Sequence, residues 1–101
     1  MGKIITITPG GTVTEEKSDC PPTAEYIEEK IGGYLQMLFW ANKNIRYRGV
    51  KSQFYVHEEG LLKGLPVNPK ASKIVQTDIW NARRPIVGTL VILTGSARWL
   101  F

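Results

Sequence analysis

The chain has one cysteine, Cys20, and one histidine, His57, in 101 residues. A lone thiol excludes an internal disulfide and suits a reducing cytoplasm. One thiol and one imidazole are too few for a zinc or iron–sulfur site, so neither a metal nor a cofactor is expected. No apolar run approaches the ~20 residues that span a bilayer. The start, Met1-Gly2-Lys3-Ile4-Ile5, carries no signal-peptide core. A cytoplasmic protein with no membrane partner is therefore expected. There is no serine elbow, no Cys–His pair of recognisable spacing and no H-E-x-x-H motif. An enzyme is the least expected class.

What is present is ordinary for a globular domain: 43% hydrophobic and 22% charged residues. The length predicts one domain over 1–101, able to bury a core without metals or disulfides, with an apolar tail over 96–101. The net charge of +4 is uneven. Residues 1–40 hold three lysines and six acids, a balance of −3; residues 41–101 hold ten Lys or Arg and three acids, a balance of +7. A basic second half favours an anionic partner, or it is a solvated surface.

Residues 3–8 alternate with β-branched side chains and predict a strand, with Ile5 and Ile7 inward. Pro9-Gly10-Gly11 is a turn, and 12–15 is an edge strand guarded by acids. Thr23 caps a helix over 24–31, ended by Gly32. Residues 34–40 form a strand apolar on both faces, expected to be central or to meet a partner. A short strand or arm at 45–48 precedes a strand over 53–57. Asn68 caps a second helix whose first residue is Pro69. Residues 86–93 read as a central strand, with Gly88 at a bulge or a close backbone approach. The expected fold is α+β: a mostly antiparallel sheet of five or six strands with two helices on one face, in the order β-β-α-β-β-α-β.

The organising stretch is residues 58–69, which carry a paired carboxylate, two glycines and two prolines. Gly32-Gly33 and Gly64 could bring bare amides to an anion, and the helix start at Asn68 is a natural phosphate seat. Lys63, Lys70 and Lys73 lie nearby in sequence. The Gly-Lys-Ser/Thr ending of a Walker A loop is absent, and turn and capping chemistry explains the same residues. Arg46-Tyr47-Arg48 and Trp80-x-x-Arg83-Arg84 interleave rings with guanidinium groups. That mix stacks on bases and pairs phosphates, or it is core aromatics with outward arginines. His57-Glu58-Glu59 could serve acid–base chemistry, or be a polar strand end and turn. The candidate ligand-binding residues are Gly33, Tyr34, Gln36, Tyr47, Lys63, Asn68, Trp80, Arg83 and Arg84.

Five motifs stand in order: Pro9-Gly10, Ile31-Gly32-Gly33-Tyr34-Leu35-Gln36, His57-Glu58-Glu59-Gly60, Gly64-Leu65-Pro66-Val67-Asn68 and Ile86-Val87-Gly88. In this order the chain resembles a family of small proteins of unknown function from bacteriophages, conjugative elements and bacteria. Gln36 stands where that family tends to have Glu, and His57 where it tends to have Asn. The resemblance implies a phage or mobile-element setting, hence a host cytoplasm, and supplies no activity. The resulting expectation is a non-catalytic binding protein, a homo-oligomer, that sequesters a small anionic, nucleotide-derived host immune signal. Two other readings stay open: a nucleic-acid-binding accessory protein, and a protein–protein inhibitor of a host enzyme acting through Trp40 and residues 99–101.

Overall fold

The computed structural model describes residues 2–38, 46–78 and 85–99, with 75–78 described by backbone alone. Within them the order is β1 (Lys3–Ile7), β2 (Val13–Lys17), α1 (Ala24–Ile31), β3 (Leu35–Leu38), β4 (Arg46–Tyr47), β5 (Val50–His57), α2 (Pro69–Asp78) and β6 (Leu90–Thr94). A 3-10 turn at Gly95–Ala97 follows. The strands make one antiparallel sheet in the order β2-β1-β6-β5-β3, with β4 folded back on the start of β5. The α+β class is as the sequence predicts.

Local chemistry explains the elements. The Gly11 N–H donates to Thr8 O at 3.0 Å, and Gly11 takes the left-handed φ of 92° that a three-residue hairpin loop demands. The Thr23 hydroxyl accepts from Tyr26 N at 3.2 Å and starts α1. Gly32, at φ 86°, ends it. Asn68 caps α2: its Oδ1 accepts from Ala71 N at 3.1 Å.

The expectation that both helices share one face does not hold. Ile27 and Ile31 of α1 pack with Ile4, Tyr55, Val91 and Leu93. Ala71 and Ile74 of α2 pack with Ile5, Ile7, Phe54, Leu90 and Ile92. Neighbouring strand residues point to opposite faces, so the helices cover opposite sides. The cause is a set of central strands apolar on both faces: Leu90 to Leu93 is buried throughout, and such strands need cover on both sides.

Among the described residues β3 ends the sheet rather than lying centrally, pairing only with β5. Its Leu35 and Met37 face α1, and Leu38 faces α2. The start of the apolar tail folds back. Trp99 Nε1 donates to Pro22 O at 2.7 Å, and the indole meets Tyr55 edge-on at 4.9 Å. Trp40, Leu100 and Phe101 lie outside the described residues.

On the α1 face, Thr6 is buried and its hydroxyl has no partner among the described residues. An unpaired buried hydroxyl costs about 1–3 kcal/mol. Thr6→Val keeps the shape and removes that cost. It should raise stability by about 1 kcal/mol in urea unfolding; a loss of stability would mean that the hydroxyl is satisfied.

Candidate functional site

The glycine amides and the Asn68 amide expected to face a ligand are engaged within the fold. Gly32 and Gly33 N–H both donate to Glu28 O, at 2.8 and 3.2 Å. In the turn that follows β5, Lys63 N donates to Glu59 O, Gly64 N to Leu61 O and Leu65 N to Gly60 O. Asn68 is fully buried. Its Nδ2 donates to Ile7 O at 2.8 Å and to Gly88 O at 2.9 Å. Asn68 therefore ties β1, the residue 86–88 segment and the start of α2 together, and presents no donor to solvent. Its own N–H donates to Ile86 O, and Ser72 N–H to Asn68 O. The helix start is thus a structural joint, and the Lys70 ammonium is drawn to Gly11 O at 3.0 Å.

The remaining candidates are dispersed. Gly33 sits against the buried His57 ring. Tyr34 is exposed at the entry to β3, and its carbonyl accepts from Glu58 N. Gln36 and Lys63 are exposed on β3 and on the turn after β5. Trp80, Arg83 and Arg84 lie outside the described residues.

Tyr47 alone of the candidates lines a described concavity. This cavity, of about 240 Å³, has Ile5, Tyr47 and Val50 as apolar walls, Lys3, Lys17 and Arg48 as cations, and Glu15 as a carboxylate; Gly2 and Thr94 complete it. It lies at the far end of β1 from the Asn68 tie, about 14 Å along the strand from Lys3 to Ile7.

Pairing assembles the cations. Lys3 lies directly opposite Lys17, and Ile5 opposite Glu15. The flanking bonds Ser18 N to Gly2 O and Thr8 N to Thr12 O place Lys3 and Lys17 at a non-hydrogen-bonded position. There, opposite Cα atoms are only about 4.5 Å apart, the closest cross-strand approach. Like charges so placed are destabilising. Arg48 comes from the two-residue β4–β5 turn, with φ 52° at Arg48 and 80° at Gly49. A non-glycine residue in that region costs roughly 1–2 kcal/mol. The Arg48 guanidinium lies 5.1 Å from the Tyr47 ring centre. Among the described residues, none of the three cations is in an ion pair. By contrast, Lys30 pairs with Glu16 at 3.1 Å. The Tyr26 hydroxyl first, and then Lys30, hold the Glu16 carboxyl below its usual range.

The cavity can hold a small anion by charge and seat a flat or apolar body against Tyr47 and Val50. The described residues contain no group of three His, Cys, Asp or Glu able to hold a metal ion. No protein-family model, curated protein or solved structure matches this chain.

Sequence reasoning missed Lys3, Lys17 and Glu15. A signal existed: once the loop over residues 9–11 closes the hairpin, pairing runs outward from Thr8 and Thr12, which sets Lys3 against Lys17.

Proposed function

We propose that this protein is a non-catalytic binding protein that holds a small nucleotide-derived anion in the Lys3–Lys17–Arg48 cavity. The observation that carries the reading is the meeting of three cations from separate chain segments, none ion-paired among the described residues, at one apolar-walled cavity. Two unfavourable local arrangements, a like-charge cross-strand pair and a left-handed arginine, coincide there. Strain of this kind gathers at ligand clamps. The volume lies just under the ~300–1,000 Å³ of drug-sized sites, which suits a mononucleotide-sized ligand or one end of a larger one. In a phage or mobile-element setting, holding a host signal requires affinity and no turnover.

Calorimetry against linear, cyclic and ADP-ribose-type nucleotides tests this. Saturable binding by a phosphorylated member, absent for its unphosphorylated nucleoside and weakened by salt, is expected. A panel without binding ends the reading.

Arg48→Gly separates ligand chemistry from architecture. Relief of the left-handed strain (~1–2 kcal/mol) outweighs the added entropy of glycine (~0.5–1 kcal/mol). The contact of the guanidinium with the Tyr47 ring, about 0.5–1 kcal/mol, is lost as well, so stability should stay within about 1 kcal/mol of wild type. Nucleotide affinity should fall about tenfold, the loss of one charge-assisted contact. A variant with unchanged affinity would remove Arg48 from the site.

A further inference from the structure

Resting on the reading above, we infer that Glu15 makes the cavity selective for a ribose-bearing anion, by accepting hydrogen bonds from the vicinal hydroxyls of the sugar. A pocket that only gathers negative charge gains nothing from a carboxylate in its wall. Yet Glu15 lines this cavity beside Lys3 and Lys17. It is no counter-ion to them, since neither lysine is ion-paired with it. Its place is set by the sheet: Glu15 lies opposite Ile5, two pairs along from Lys3 and Lys17 and so on the same face. Two residues along a strand are about 7 Å apart. That separation matches the reach from the 5′-phosphate of a nucleotide to its 2′,3′-diol. A phosphate between Lys3, Lys17 and Arg48 therefore brings the diol to Glu15. Ile5, Tyr47 and Val50 supply the apolar wall of the same cavity. An ionised carboxylate only accepts hydrogen bonds and can take both hydroxyls at once. Dinucleotide-binding folds use an acidic residue in this way on the ribose hydroxyl.

The test uses the full chain and three probes: adenosine 5′-monophosphate, its 2′,3′-dideoxy analogue and inosine 5′-monophosphate, each titrated against wild type and Glu15→Ala. Wild type should prefer adenosine over dideoxyadenosine monophosphate by about tenfold, as expected for charge-assisted hydrogen bonds. Glu15→Ala should bring that ratio close to one, with the dideoxy affinity unchanged or raised, because a repulsive charge is gone. Inosine monophosphate should bind like adenosine monophosphate. Equal wild-type affinity for the ribo and dideoxy probes overturns the inference while the anion site stands. So does a preference that survives Glu15→Ala, or a wild-type affinity for inosine monophosphate well below that for adenosine monophosphate, which would assign the Glu15 contact to the base amine. No binding of any probe, with the wider nucleotide panel also silent, overturns both readings. Glu15 is exposed on an edge strand, so the variant should fold; matching thermal unfolding curves check this.

Discussion

Asn68→Asp should destabilise the protein by about 4 kcal/mol, although asparagine and aspartate are equally good helix caps. The capping oxygen survives in the variant, so a cap-only role predicts almost no change. The structure predicts otherwise. The Asn68 amide donates to Ile7 O and Gly88 O inside a fully buried site. Aspartate removes both donors and sets a carboxylate against two carbonyl oxygens. Ile7 O keeps its place in the ladder with Leu90, but Gly88 O is left without this donor at about 1–3 kcal/mol, and burying an unpaired charge against two carbonyl oxygens adds to this. Asn68→Ala loses the same two bonds together with the cap, and should fall in the same range. For a domain near 100 residues, about 4 kcal/mol lowers the midpoint by roughly 20 °C. Thermal unfolding followed by circular dichroism measures it. An aspartate variant within 1 kcal/mol of wild type would show that the ties to β1 and to Gly88 carry no weight.

The second large effect is expected at Gly33. A methyl group there would lie 2.2 Å from His57 Nε2 and 2.8 Å from its Cδ2 and Cε1. The ring cannot simply swing aside, because it is buried and its Nδ1 accepts from Glu59 N at 3.0 Å. Gly33→Ala must therefore displace His57. Overpacking costs about 1–3 kcal/mol, and the lost turn bond about 1 kcal/mol more. We expect a loss of about 3 kcal/mol in urea unfolding. His57→Ala leaves space for the new methyl, so the double variant should be more stable than the sum of the single losses by 1 kcal/mol or more. Strict additivity would place the cost of Gly33→Ala in the backbone and not in the ring.

These two residues show how the sequence can identify a residue and still misassign its work. Gly33 and Asn68 stood out because glycine and asparagine mark special backbone. Their partners, His57 across the sheet edge and Ile7 at the end of β1, are remote in sequence. Turn chemistry cannot reveal that an amide is already used by a carbonyl 61 residues away. The helix faces are a different case. Leu90 to Leu93 is apolar without alternation, a pattern that calls for cover on both sides. The opposed helices are therefore legible in the sequence. The central placement expected of residues 34–40 rested on the same apolarity. Yet a strand that pairs on one side only can still carry apolar residues on both faces, when a helix covers each.

By itself, the sequence determined the features that close within a few residues. These are the Thr23 and Asn68 caps, the stop at Gly32, the hairpin over residues 9–11 and the strands flanking it. The bonds that make them join neighbours. Only the tertiary structure decided which faces the helices cover, that Asn68 is a buried tie, and that the cations of β1, β2 and the β4–β5 turn share one cavity. Charge attracts a ligand only where side chains converge in space, and convergence here depends on strand pairing between segments up to 91 residues apart, as at Lys3 and Thr94.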